Sequence, residues 1–441
     1  STTGSVTNGP LGTGTATVAS GAAIDLNGKT LANALTLAGD GISSGGALFN
    51  STGTASTVSG AITLAADTTI DGGSGALTIS GTANGAFALT VNSTNANYTQ
   101  SGVIGGSIPL TGFTVNAGTG LVGFDGAVEV DGAMLVTESG GVTVDDAIDV
   151  SGDLTFNAVQ GGADIEITGS GSITKSSGAD STLTFKTDNI FLQSGSSIAA
   201  TSGRLNVVFW AEQPSAGGGY ISLDGTSIDT NGGGLAMAGQ DGTTSWVPYE
   251  GAAALTVPDG TPYRGGPGLL VKDTTITTAG GNLRAKGRTI NNSGNTNNFG
   301  LHITGSTVQT GAGDQFWYGS YGRDSNTASY LSGLEINDST VSATTGDIEI
   351  QGRIEGSGSV GDGNALRIGS LGGSGNTSAT GDVGITTTTG NIILQGNQQT
   401  SSVTGAGYAI SLVTLGADTL TIESQGGDIN LTGNASSTAG V

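Results

Sequence analysis

Along the chain, apolar residues alternate with polar ones in short bursts, and each burst ends at Ser, Thr, Asn or Gly. The stretch GLEINDSTVSATTGDIEIQG, residues 333–352, holds three of them. Leu334 and Ile336 flank Glu335, Val341 sits among Ser and Thr, and Ile348 and Ile350 flank Glu349. Period-two alternation predicts strands with one buried face. The corners between these bursts turn the chain without a hairpin signal such as Asn-Gly between equal strands. No window sustains an apolar 3.6-residue period beyond a turn or two, so helices are not expected.

The same form recurs. GLLVKDTTITTAGGNLRAKG starts at Gly268, GLHITGSTVQTGAGDQFWYG at Gly300, the stretch above at Gly333 and ALRIGS at Ala365. DVGITTTTGNIILQG follows at Asp382, YISLDGTSIDTNGGGLAMAG precedes at Tyr220, and AISLVTLGADTLTIESQGGDINLTG comes later at Ala409. The starts at 268, 300, 333 and 365 are separated by 32, 33 and 32 residues. A fixed period of this size is the signature of a solenoid. One copy has too few apolar side chains to bury a core, whereas stacked copies pair each strand with its equivalent at about 4.8 Å. The expected fold is therefore all-β: a right-handed parallel β-helix (β-solenoid) with three short strands per coil and loop insertions. Ile336, Val341 and Ile350 should point inward, Ser, Thr and Asn should form outward polar ladders, and Gly should serve the corners.

Three regions follow from the strictness of the pattern: looser coils over 1–125, middle coils over 126–219, and regular repeats with a period of about 32–48 residues over 220–441. Two inserted loops are expected in the last region, at 239–267 and 315–330. The first carries Trp246, Tyr249, Tyr263 and four of the seven prolines; the second carries Phe316, Trp317, Tyr318 and Tyr321. Insertions in solenoids map to one face, often the binding face.

Composition narrows the function. Gly fills 82 of 441 positions without a G-X-Y period, which excludes collagen. Hydrophobic residues make up 35% and keep a regular alternation, which argues against disorder. The net charge of −23 disfavours nucleic acid, since phosphate neutralisation needs a broad basic surface. Positive charge is also uneven: Lys29 is the only basic residue before Lys175, and none follows Arg367. With no Cys, disulfides, thiolate zinc sites and Cys nucleophiles are excluded. No apolar run approaches the roughly 18 residues of a membrane span, so membrane insertion of this segment is not expected. The chain begins at Ser1 without Met and stops within a repetitive pattern, so a mature or excised piece of a longer protein is expected.

At residues 12–70 the chain resembles the repeats of giant bacterial surface exoproteins. Residues 205–239, LNVVFWAEQPSAGGGYISLDGTSIDTNGGGLAMAG, are similar to a recurring segment of the filamentous-haemagglutinin-like family. There a LNV…W strand leads through a short Gly/Ser loop into G-x-I-x-L…TNGG. The resemblance covers most of the chain. It implies export by a Gram-negative bacterium, often by two-partner secretion, and surface display or release as a long β-helical fibre. An N-terminal secretion domain and a C-terminal membrane barrel are not seen, which again points to a fragment or processed product.

Pectin hydrolases of the β-helix fold carry paired Asp, then Gly-His-Gly, then Arg-x-Lys. Here Asp145 and Asp146 pair, Arg284 and Lys286 form Arg-Ala-Lys, and the lone His302 follows them in the wrong order. General acid–base catalysis needs groups converging on one substrate, so an enzyme is not expected. His302, between Leu301 and Ile303, should point to solvent by alternation. No cofactor is expected, and Ca²⁺ has only corner carboxylates such as Asp347 and Asp428, which better suit Asx-turns. Threonine runs such as TTITT resemble the arrays of ice-binding β-helices but do not keep register. The candidate contact patch is Trp246, Tyr249, Tyr263, Phe316, Trp317, Tyr318 and Tyr321 for stacking, with Arg288 and Arg353 as part of a basic stripe. The expected role is a secreted, cell-surface, non-enzymatic rod: an adhesin segment or the subunit of an extracellular filament. Its partners would be itself, end to end or laterally, or a glycan or protein on a host or neighbouring cell. The alternatives are a pectin lyase- or hydrolase-like enzyme and a monomeric glycan-binding adhesin.

Overall fold

Every wall of this molecule is built by strands lying parallel on their equivalents one coil further along; the chain is a parallel β-helix. The computed structural model describes residues 11–158, 162–211, 219–239, 268–290, 298–323, 331–360, 363–369, 381–403, 408–414 and 417–437, with the backbone of 249–251, 255–256 and 262–263. Two compact units are present: residues 1–187 with 200–203, and residues 188–199 with 204–441. Among the described residues the only helical element is one 3-10 turn, Ile42–Ser44.

In the N-terminal unit the coils are uneven. Ala16 lies over Leu35, 19 residues on, while Leu154 lies over Leu183, 29 residues on. Register shifts interrupt the pairing of Leu110–Asn116 with Val128–Glu138. The core is a column of Val91, Val115, Val136, Phe156 and Phe185. Phe156 and Phe185 stack at 5.3 Å, and Phe124 from the opposite wall stacks on Phe156 at 5.8 Å. On the outward side, polar ladders form as expected: Thr90 lies over Thr114, and Asn116 Nδ2 donates to Asn92 Oδ1 at 2.8 Å.

The C-terminal unit has three walls, here numbered in chain order within a coil. The first wall stacks Leu269–Lys272, Asn298–Thr304, Leu331–Asn337, Gly363–Gly369 and Tyr408–Val413. The second stacks Thr275–Thr277, Thr307–Gln309, Thr340–Ala343, Val383–Thr387 and Leu420–Ser424. The third stacks Leu283–Ile290, Gln315–Arg323, Ile348–Val360, Ile392–Val403 and Ile429–Ser437. Leu269, Leu301, Leu334, Leu366 and Ile410 share one column, so the repeat starts read from the sequence are in rung register. Ile336, Val341 and Ile350 are fully buried. Each such side chain contributes about 1.5–3 kcal/mol through removal from water.

Three expectations need correction. The strands of the third wall are not short: they run on past the core, crossing the first wall at Gly287, Gly319, Gly352 and Gly396. A Cβ at Gly352 would sit 1.9 Å from the Ala365 carbonyl oxygen, so only glycine permits the crossing. Beyond it, Tyr321, Leu331, Ile354 and Ala365 form a further buried cluster. Next, Gln315–Arg323 is a strand of that wall rather than the start of an inserted loop. Its aromatic residues replace the usual Ile and Leu, which hid the alternation. Finally, not every Ser and Thr is outward: several at the corners are buried. Thr230 and Thr310 are sealed inside and donate to the carbonyl oxygens of Gly233 and Gly313 at 2.5 and 2.6 Å. A hydroxyl that satisfies a corner carbonyl removes the cost of burying that carbonyl unpaired. Of the 239–267 insertion, Gly239 ends the strand Leu235–Gly239, Tyr249–Gly251 pairs with Gly287–Thr289, and Leu255–Thr256 pairs antiparallel with Pro262–Tyr263; the rest, like residues 324–330 of the second expected loop, lies outside the described residues.

Candidate contact face

The third wall of the C-terminal unit turns one side to the core and the other outward. Inward from successive strands come Met237, Ala285, Trp317, Ile350 and Leu394, all in one column. Ala285 under Trp317 leaves room for the indole, whose Nε1 donates to Gln315 Oε1 at 3.0 Å. Gln315 Nε2 in turn donates to Ser342 O at 2.7 Å and Thr310 Oγ1 at 3.2 Å. Trp317 is thus a core residue with a satisfied N–H, and Tyr321 is buried beyond the crossing; neither belongs to a contact patch.

Outward, two columns face away from the core. One holds Ala236, Arg284, Phe316, Glu349 and Ile393; the other holds Lys286, Tyr318, Gln351 and Gln395. Trp210 stands two coils before Lys286 and is half-exposed, as are Phe316, Tyr318, Gln351 and Gln395. Lys286 Nζ lies 5.8 Å from the Phe316 ring centroid, a cation–π contact. Partial burial, and then the neighbouring Arg284 charge, hold the Lys286 ammonium below its usual pKa. Two positions further along these strands, Arg288 and Arg353 flank the buried Ser320 on its two sides. They occupy the same column, as expected, but with one coil between them. Arg353 Nε contacts Glu355 Oε1 at 2.6 Å, and its Nη2 donates to Gln399 Oε1 at 3.0 Å.

Of the nine patch residues read from the sequence, Phe316, Tyr318, Arg288 and Arg353 therefore meet on one face. Trp246 lies outside the described residues. Tyr249 and Tyr263 are placed by backbone alone, Tyr249 opposite Gly287 and Tyr263 opposite Leu255. The missed members are Trp210, Gln351 and Gln395, with Arg284 and Lys286, which had been noticed only as half of a catalytic motif. Aligning outward positions across the repeats would have collected all five.

The catalytic-motif residues are spread over the two units. Asp145 and Asp146 belong to the N-terminal unit, while Arg284 and Lys286 face outward on the third wall. His302 corrects another expectation. It is buried on the outward side of the first wall, its Nε2 3.3 Å from Asn337 Oδ1, because that side is covered rather than solvated. The Asp347 carboxylate has a visible task, and Asp428 joins the same ladder through its backbone N–H. Asp347 Oδ1 accepts from Asn391 N at 2.6 Å and from its Nδ2 at 3.1 Å, and Asp428 N donates to Asn391 Oδ1 at 2.9 Å. They tie one coil to the next. Among the described residues no three carboxylate or imidazole side chains gather as a metal site. Compared with family models, with curated proteins and with solved structures, the chain gives no match.

Proposed function

We propose that this chain is a non-enzymatic β-helical segment of a secreted bacterial surface adhesin, and that the outward side of the third wall makes its contacts. The observation that carries this reading is the grouping of Trp210, Phe316 and Tyr318 with Arg284, Lys286, Gln351 and Gln395 on the outward side of one sheet. Aromatic faces stack on sugar rings or apolar anchors, and planar amides and guanidinium groups bond hydroxyls and carboxylates. The strands beneath hold these side chains at ladder spacing, so little freedom is lost on binding. The partner class is a glycan or protein on a host or neighbouring cell. The resemblance of residues 205–239 to filamentous-haemagglutinin-like repeats supports export and surface display.

The test is binding of the purified chain to a glycan panel and to intact cells, with Phe316→Ala and Tyr318→Ala combined. The double variant should lose at least about tenfold in affinity, the cost of two stacking contacts, at an unchanged melting temperature. Undiminished binding would reject the face. Turnover of polygalacturonate that disappears on changing Asp145 and Asp146 would instead favour the enzyme reading.

A filament subunit is the second reading. Its support is the in-register stacking of equivalent strands along each wall, a mode of pairing that a second copy can continue. Sedimentation of the purified chain separates the readings: long polymers favour the filament, a monomer that binds favours the adhesin.

A further inference from the structure

His302, Glu335 and Arg367 stand in one column on the outward side of the first wall, in three consecutive coils. Phe191, Ser222 and Leu270 precede them in that column, and all three are buried. His302 is 2% exposed and Glu335 is 0% exposed; Arg367 is half-buried. The His302 ring stacks on Phe299 at 4.6 Å, and its Nε2 meets Asn337 Oδ1. Glu335 Oε2 accepts from Ser332 Oγ at 3.1 Å, while its Oε1 has no hydrogen-bond partner. The long strands packed against these coils, Leu283–Ile290, Gln315–Arg323 and Ile348–Val360, carry Arg284, Lys286, Arg288, Tyr318, Tyr321, Glu349, Arg353 and Glu355 as their described charged or titratable groups. Arg353 among these is held by Glu355.

Burial disfavours the charged form of both neighbours, with opposite consequences. A carboxyl with one unsatisfied oxygen holds its proton: burial pushes Glu335 up to about 7, against the opposing pull of Arg367 and Ser332. An imidazole in the same surroundings sheds its proton: burial pushes His302 down to about 4, against the Asn337 bond.

We propose that His302 and Glu335 are a compensating proton pair, which keeps the stability of this wall constant as the surroundings turn weakly acidic. In the unfolded chain at such pH the imidazole carries a proton and the carboxyl does not. In the folded chain the carboxyl carries one and the imidazole does not. Folding therefore binds one proton at Glu335 and releases one from His302, and the total is unchanged. Stability varies with pH only when that total differs between the two states. Taken singly, the raised group gives stability that is full below its unfolded value of 4.5 and is lost as pH rises toward about 7. The lowered histidine gives stability that is full above its unfolded value of 6.5 and is lost as pH falls toward about 4. Between 4.5 and 6.5 the two slopes oppose, each about tenfold in the folding constant per pH unit.

The test is thermal melting of the full chain across that interval, for the wild type, Glu335→Gln, His302→Gln and the double variant. The wild-type profile carries the background of all other carboxylates. Relative to it, Glu335→Gln should melt progressively lower as pH falls, His302→Gln progressively higher, and the double variant should run parallel. Four parallel profiles overturn the proposal. His302 is the single histidine of the chain, so its ring resonances need no assignment. In the wild type they should stay still from about pH 7.5 to about pH 5. Titration near the ordinary histidine value overturns the proposal even where a variant fails to fold.

Discussion

One three-residue pattern occurs twice in a single coil: Leu334-Glu335-Ile336 on the first wall and Ile348-Glu349-Ile350 on the third. In both, the apolar pair points into the core and is fully buried. The glutamates differ. Glu335 is as buried as its neighbours, whereas Glu349 is half-exposed and accepts a hydrogen bond from Gln351 Nε2. Alternation decides which side of a strand a residue takes. It does not decide what lies beyond that side, and on the first wall what lies beyond is not water.

The largest contrast is expected across one strand of the third wall. Trp317→Ala should cost about 3–5 kcal/mol, because the indole fills a closed column above Ala285. Phe316→Ala, next to it, should stay within about 0.5 kcal/mol. Denaturant melts of both variants check this, and equal losses would mean that the outer side of the third wall is covered as well. Next come the glutamates themselves. Glu335→Ala leaves the buried Ser332 hydroxyl without its acceptor and removes the carboxyl beside Arg367, and should cost about 1–3 kcal/mol. Glu349→Ala should be near neutral. Replacing Glu335 and Arg367 together by Leu should recover most of the loss, since a buried polar pair is often no better than apolar packing. A double variant as unstable as Glu335→Ala would contradict that account.

Accessibility offers a sharper view of the same contrast. In a chain without cysteine, Glu349→Cys should react with a thiol reagent at the rate of a free thiol. Glu335→Cys should react orders of magnitude more slowly, limited by opening of the wall. Comparable rates would show the first wall to be open. The smallest effect belongs to the Arg353–Glu355 pair, whose side chains are 37% and 35% exposed. Arg353→Gln should cost less than about 1 kcal/mol, and the difference should shrink in 1 M salt.

Much of the coil was legible from residue order. The starts at Gly268, Gly300 and Gly333 are rung partners, and Ile336, Val341 and Ile350 are inside, because a repeat that cannot bury its own apolar residues must stack in register. The contact face was half legible. Ring and guanidinium chemistry points to Phe316, Tyr318, Arg288 and Arg353, but equally to Trp317 and Tyr321, which alternation separates from them. Alternation alone would have sent Trp317 inward and Phe316 outward. His302 shows the opposite limit: alternation turns it outward, but the outer side there is covered. A faint signal existed in the outward positions of the first wall, since Phe191 and Leu270 are apolar where solvent was expected.

What the residue order determined by itself was the coil: period, strand walls, corner glycines and the inward Val, Ile and Leu columns. These follow from local alternation and from equal spacing between copies, both properties of neighbouring positions. What only the tertiary structure decided was the outer environment of each wall. The third wall runs past the core at its glycine crossings, and the outward column of the first wall lies buried. Whether a glutamate between two aliphatic residues meets water or packed protein depends on chain segments far away in sequence, and no local period records their arrival.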